Sequence, residues 1–135
     1  MIIREQIIQK LLKVTNSRYG TPEGVDDQDL PIRILDDFDD VIEPDAYDQW
    51  VHTMSIVIAD ANAVEYSDPD KMRQEAHKGI QKILSAIYAD ETLDGLVEHI
   101  ELTGLNVQTE AARFIFAQVS LTVTYHTSRG DLTSN

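Results

Sequence analysis

The clearest pattern along the chain is a helical periodicity between Pro69 and Ala89. Apolar residues recur there at steps of three and four positions, the spacing that places side chains on one face of an α-helix. Ser67 or Asp68 is expected to cap the start of this helix, and Pro69 suits its first turn, where a missing N–H loses no helical bond. Gly79 falls within the stripe, and we expect another backbone to approach closely there. The stripe consists of Met72, Ala76, Ile80, Ile83, Leu84 and Ile87.

A first helix is predicted over residues 2–14, where apolar side chains again fall on one face. Strand-like alternation of apolar and polar residues occurs in four further places. Pro31 cannot donate a hydrogen bond to a neighbouring strand, so the first strand is expected at or near a sheet edge. The predicted strands cover about residues 30–34, 50–59, 96–102 and 111–127, and the turn before the third contains Asp94-Gly95.

The last predicted strand has two different faces. One face is apolar throughout and is expected to lie in the core. The other begins with Phe114 and Phe116 and becomes hydroxylic toward its end, so we expect it to face solvent or a neighbouring subunit. The apolar face consists of Ile115, Ala117, Val119, Leu121, Val123 and Tyr125.

Residues 36–48 combine many carboxylates with a few large apolar side chains. Because like charges repel and resist packing, the segment is predicted to be a loop or a mobile arm. A purely solvated arm would have little use for its apolar residues, which suggests that it contacts a partner. The candidate contact residues of this segment are Asp36, Asp37, Phe38, Asp39, Asp40, Val41, Ile42 and Tyr47.

The order of these elements predicts an α+β fold. Two helices packed on one face of a mostly antiparallel sheet of about four strands would bury the apolar stripes with the fewest elements. The length of 135 residues fits a single domain over residues 1–127. Residues 128–135 form a polar C-terminal tail that we expect to be disordered.

Composition narrows the functional classes. The net charge is -13, and residues 23–48 hold eleven acidic residues against one base, Arg33. Such a surface does not bind nucleic acid by counterion release, which needs basic side chains. No run approaches the roughly 18 to 20 apolar residues of a membrane span. We therefore expect a protein that is made in the cytoplasm, does not enter a membrane, and is used there or in a particle assembled there.

The residues that carry chemistry form no recognisable site. The chain has no cysteine, and its four histidines, His52, His77, His99 and His126, lack the spacing of helical metal ligands. His52, on an apolar strand face, is expected to be a hydrogen-bonded core residue. The acidic segment lacks the glycine and the register of a calcium loop. No phosphate-binding or nucleophile motif is present, so we predict no cofactor, no metal and no enzymatic activity, although a small hydrolase remains an alternative.

The order and spacing of these segments resemble those of phage tail terminator proteins, the family of the lambda minor tail protein U. The resemblance covers about residues 2–127. It rests on the first helix, the segments DLPIRIL and QWVHTMSIVIADA, the long helix, DETLDGLVEHIELTG and the final FIFAQVSLTVTYHT. The acidic run after the first strand is heavier than in the family pattern.

The resemblance implies a structural virion protein. Proteins of this family are expected to form a hexameric ring on the head-proximal end of the tail tube, where the ring ends tube polymerisation and offers a surface for head joining. The implied partners are other copies of the chain, the tail tube protein and the head connector. Genomic DNA would pass through the ring without specific binding, and an acidic lumen would repel its phosphates.

A ring contact between unlike surfaces needs two different patches on each subunit. The acidic segment and the face of Phe114 and Phe116 are candidates for the subunit or tail-tube interface, and the basic first helix would complement the acidic segment of a neighbour. Two other functions fit the same features. The chain would then be another neck component, such as a tail-completion or head-closure protein, or an acidic binding module that mimics DNA.

Overall fold

The computed structural model describes residues 1–63, 68–110 and 114–135. Within these residues the chain forms two α-helices, five strands and two short 3-10 helices. The 3-10 helices are Pro22–Gly24 and Asp27–Asp29. The main elements are α1 (Ile3–Thr15), β1 (Arg18–Tyr19), β2 (Ile32–Asp45), β3 (Gln49–Ala63), α2 (Pro69–Tyr88), β4 (His99–Glu110) and β5 (Phe114–Ser128).

The strands form one sheet in the order β1-β2-β3-β5-β4. All neighbouring pairs are antiparallel except β1 and β2, whose two-residue pairing is parallel. The α+β class and the largely antiparallel sheet are as predicted, whereas β1 was missed because two residues carry no periodicity. The predicted start of the last strand at residues 111–113, and the possible cap Ser67, lie outside the described residues.

The acidic segment is a strand, and the prediction of a loop or mobile arm was wrong. β2 continues through it and pairs with β3 from Ile32 opposite Ala61 to Asp45 opposite Gln49, with a bulge between Asp37 and Asp40. Backbone hydrogen bonds to β3 hold the segment extended despite its charge. The hairpin closes at the following turn, where Tyr47 and Asp48 have positive φ.

Both helices pack on the same face of the sheet, as the apolar stripes predicted. In α2 the buried residues are Ala76, Ile80, Ile83 and Ile87, while Asp68 caps the start by accepting a 3.0 Å hydrogen bond from the Lys71 N–H. The sheet face below them includes the predicted apolar residues of β5. The most deeply buried members of this core are Ile7, Leu11, Met54, Ile58, Ile83, Ile87, Val119, Leu121 and Val123.

Two predictions around this core need correction. The Asp94-Gly95 turn is present, but Leu96 lies in the turn and β4 begins later, at His99. Residues 128–135 are not disordered: the Ser128 N–H donates to the Ser134 carbonyl, and the Leu132 carbonyl accepts a 2.8 Å hydrogen bond from the Ile3 N–H. The tail therefore supplies an acceptor for the first N–H of α1, a helix that has no side-chain cap.

The opposite face of the sheet is covered only in part. Phe114 and Phe116 are buried there at 4% and 1% exposure, with their rings edge to face. Beyond them the same face of β5 carries half-exposed polar residues. The residues around the two rings are Ile34, Ala59, Ala61, Val25, Leu30 and Ile32. Within the described part of the chain, neither helix combines the length and the apolar character needed to span a bilayer.

Candidate assembly surface

The structure divides the ten predicted interface residues into three groups. Phe114 and Phe116 lie inside the subunit, so they offer no exposed contact surface, contrary to expectation. Asp36, Asp37 and Asp40 are half-buried, and Asp39 is exposed. The apolar residues of the acidic segment are all exposed: Phe38 by 51%, Val41 by 56%, Ile42 by 46% and Tyr47 by 96%.

The two half-buried carboxylates on the helix side of β2 bind α1 of the same subunit. One Arg4 guanidinium nitrogen lies 2.6 Å from Asp37 and donates to the Phe38 carbonyl at 2.7 Å, while another lies 3.2 Å from Asp40. Lys10, further along α1, pairs with Asp94. Arg4 and Lys10 of the basic first helix thus already pair with acids of their own chain.

Asp40 also organises a buried polar cluster that sequence reasoning missed. Its carboxylate accepts a hydrogen bond from the Tyr125 hydroxyl and lies 3.2 Å from His52 Nδ1. His52 Nε2 lies 2.8 Å from Thr127 Oγ1, and its ring stacks on Tyr125 with centroids 4.3 Å apart. His52 is therefore a hydrogen-bonded core residue, as predicted. Its place on an apolar strand face was the only signal of the cluster.

The order carboxylate, imidazole and hydroxyl is also that of a nucleophilic triad. Here, however, His52 and Thr127 are each 1% exposed, and the Thr127 hydroxyl is already hydrogen-bonded to His52. A substrate carbonyl cannot reach Thr127 in this conformation. We interpret Asp40, His52, Tyr125 and Thr127 as a structural cluster that fixes β2 to β3 and β5.

The neighbouring carboxylates Asp36 and Asp37 have opposite electrostatic environments. Burial raises the pKa of Asp36, and the charges of Asp37 and Glu23 act in the same direction. Burial also acts to raise the pKa of Asp37, but hydrogen bonds from Tyr19 and Arg4 outweigh it and hold that pKa below the usual value. The bond to Asp37 in turn raises the pKa of Tyr19 to about 12. The surroundings of Asp37 thus favour its ionised form, whereas those of Asp36 disfavour ionisation.

The sheet has two open edges, one on each side. β1 covers the outer side of β2 only at Ile34 and Leu35, so positions 36–45 pair with β3 on one side and have no described strand on the other. β4 forms the opposite edge, and no described strand lies beyond it. Exposed apolar side chains lie on this edge too, with Leu102 exposed by 38% and Leu105 by 58%. Open strand edges of this kind can accept a further strand.

A shallow groove of about 470 Å³ runs along the β4 edge where α2 passes over it. Its walls are mainly apolar, and Ile80 and Leu84 form the helical side. The residues around the groove are His77, Ile80, Gln81, Leu84, Leu105, Asn106 and Val107. A side chain from a strand added beside β4 on the helix side would enter this space.

A larger cavity of about 690 Å³ lies at the other side of α2. Arg33 and Asp60 form a bidentate ion pair there, with nitrogen–oxygen distances of 2.6 and 3.2 Å. Gly79 faces the Asp60 carboxylate: a Cβ at this position would lie 2.5 Å from Asp60 Oδ2. The close approach predicted at Gly79 therefore occurs, but a side chain rather than a backbone makes it.

Among the described residues, no group of three or more histidine or acidic side chains is arranged to hold a metal ion. His126 illustrates why, since its two ring nitrogens contact Asp45 at 2.7 Å and Glu98 at 3.0 Å on opposite sides of the ring. The carboxylates do not converge on a common point. They connect the hairpin end of β2 to the segment before β4.

No protein-family model matches the chain, and no match is found among curated proteins.

Proposed function

We propose that this chain is a structural protein of a phage tail, acting as a tail terminator that assembles into a ring at the head-proximal end of the tail tube. The observation that supports this most is the pair of open sheet edges, each with exposed apolar side chains. Phe38, Val41 and Ile42 lie along one edge, and Leu102 and Leu105 along the other. A subunit with two unlike adhesive edges on opposite sides suits a head-to-tail ring.

The proposed role needs no catalytic centre. The arrangement of Asp40, His52 and Thr127 is largely buried, and its polar atoms already bond to one another. The partners we propose are other copies of this chain, the tail tube protein and the head connector, with DNA passing through the ring. The exposed carboxylates of Asp39 and Glu43 are better candidates for an acidic lumen than Asp37 and Asp40, which bind Arg4.

A second function is an acidic module that mimics DNA and binds a basic enzyme. The exposed carboxylates of β2 favour it, because they lie along one strand of the hairpin. Another neck component, such as a tail-completion or head-closure protein, would share the same build and is distinguished by where it binds on the particle.

Mass measurement in solution tests the proposal. We expect purified protein at high ionic strength to form a closed species of about 91 kDa, six times the 15.2 kDa chain. Purified tail tubes mixed with the protein should be capped at one end and stop growing. A chain that remains monomeric at every ionic strength and fails to bind tube ends would contradict the proposal. A monomer that instead binds a basic nuclease would favour the DNA-mimic alternative.

A further inference from the structure

We infer which surfaces join neighbouring copies: the open stretch of β2, residues 36–45, pairs with the β4 edge of the next copy to continue the sheet from subunit to subunit. This inference rests on the proposed ring and specifies its contact. The occupant of the β4 edge is thus a second copy of this chain.

Strand direction supports this pairing. From β2 through β3 and β5 to β4, each strand is antiparallel to the one before it. If the sheet continues in the same orientation, β2 of a second copy placed beside β4 is therefore antiparallel to that β4. The contact extends the existing alternation and requires no reversal of either strand.

The two open stretches are also similar in length. Ten residues of β2 lie beyond the part covered by β1, and β4 has twelve residues. Each presents backbone N–H and C=O groups toward the outside. Two carbonyls are already occupied at 2.7 Å, that of Ile100 by the Tyr88 hydroxyl and that of Phe38 by Arg4. Pairing would satisfy the remaining groups along the ten residues of the open β2 stretch, in the manner of β-augmentation.

Side chains on the helix side of the two edges fit one another. Ile42 lies opposite His52 in the hairpin register and therefore points to the same face as the helices. Leu102 and Leu105 lie opposite or beside Leu121 and Val119, on that same face. Joining the edges would place Ile42 of one copy against the groove formed by α2 and Leu105 of the next, and would bury apolar area that is now exposed.

Charge sets the condition for this contact. Asp39 and Glu43 are exposed on β2, and Glu101 is exposed on β4, so the two edges repel each other at low ionic strength. Salt screens such exposed charges, with a Debye length of about 10 Å at 0.1 M. Association through these edges should therefore strengthen as salt is added, the opposite of an interface held by ion pairs.

A symmetric contact between two β4 edges would also be antiparallel. It would leave the apolar side chains of β2 exposed on both copies, whereas head-to-tail pairing covers both edges of every subunit. Engineered disulfides distinguish the two arrangements, because the natural chain contains no cysteine. Val41, Glu101, Asn106 and Gln108 are exposed and lie on the face opposite the helices.

The test combines Val41→Cys with Glu101→Cys, Asn106→Cys or Gln108→Cys in three double variants, oxidised at high ionic strength. Within one copy these positions are three strand spacings apart, roughly 14 Å at about 4.8 Å each, which exceeds the Cα separation of about 7 Å that a disulfide tolerates. We expect at least one double variant to give a covalent ladder of multimers on a non-reducing gel. The matching single variants should stay mostly uncrosslinked.

A second measurement uses Leu105→Asp, which should weaken self-association at least tenfold, with Tyr47→Asp as the matched control in the turn outside the paired stretch. Circular dichroism checks that both variants fold. Rings that form without a ladder, or that tolerate Leu105→Asp, would overturn the edge pairing while leaving the proposed function intact. Efficient dimerisation of single Asn106→Cys would show the symmetric contact instead. A wild-type chain that is monomeric in all conditions would contradict both.

Discussion

Removal of the Asp40 carboxylate should destabilise the fold more than any other single change in the acidic segment. Asp40 accepts from Tyr125, lies 3.2 Å from His52 Nδ1 and contacts Arg4. In Asp40→Ala, Arg4 still has Asp37 as a partner at 2.6 Å. Tyr125 and His52, each 1% exposed, would instead lose an acceptor inside the protein.

The size of the effect follows from those two buried donors. Leaving a buried donor unsatisfied costs about 1–3 kcal/mol. The two donors together would cost about 2–6 kcal/mol. Water can enter the space vacated by Asp40, whose side chain is 13% exposed, so we expect the free energy of unfolding to fall by about 3 kcal/mol, in the lower half of that range. With a urea m-value of about 2 kcal/mol/M, the unfolding midpoint should fall by about 1.5 M.

Urea unfolding followed by tyrosine or tryptophan fluorescence measures this shift. Asp39→Ala is the matched control, since Asp39 is exposed on the same strand and should change the free energy of unfolding by less than about 0.5 kcal/mol. In a Tyr125→Phe background, Asp40→Ala should cost about half as much, because one of the two donors is already absent. Equal midpoints for Asp40→Ala and Asp39→Ala would refute the role assigned to the cluster.

Three further predictions concern stability. Gly79→Ala should destabilise the protein by about 1–2 kcal/mol because its Cβ displaces the Asp60 carboxylate. In an Asp60→Ala background the same change should be stabilising, because the helix-propensity gain of about 1 kcal/mol is then unopposed. Urea unfolding in which Gly79→Ala lowers the free energy of unfolding in both backgrounds would refute this. Asp37→Asn should lose stability at neutral pH and flatten the acid transition, because a lowered carboxyl pKa contributes stability that disappears as the pH falls through the folded-state pKa. Asp36→Asn should instead gain stability at neutral pH, because the pKa of Asp36 is raised. Changes of the same sign in the free energy of unfolding of the two variants at neutral pH would contradict these pKa directions. Phe116→Ala should cost about 3–5 kcal/mol, and a thermal midpoint close to that of the wild type would show that the ring is not part of a core.

Long periodic segments were predictable because one physical requirement, burial of a single face, determines their pattern. α2 and β5 are of this kind, and their buried residues agree with the stripes read from the sequence. The β2 strand was missed because its carboxylates resemble a solvated loop. Its conformation depends on partners far away in sequence, namely the β3 backbone and Arg4, which no local pattern contains.

The candidate surface was predictable only in part for the same reason. The apolar residues among the acids indicated a contact, and Phe38, Val41, Ile42 and Tyr47 are indeed exposed. Phe114 and Phe116 have the same apolar character, but the segment that precedes β2 covers them, and the spacing within one strand cannot reveal which other segment folds over it. The β4 edge became a candidate only once the strand order was known.

Electron microscopy of the purified protein at high ionic strength would show directly whether the subunits form a ring. We expect closed rings with six-fold symmetry in class averages, in which the sheet of one subunit continues into the next, and fewer rings for Leu105→Asp. A field of single compact particles of one chain each, unchanged by salt and by added tail tubes, would contradict this expectation.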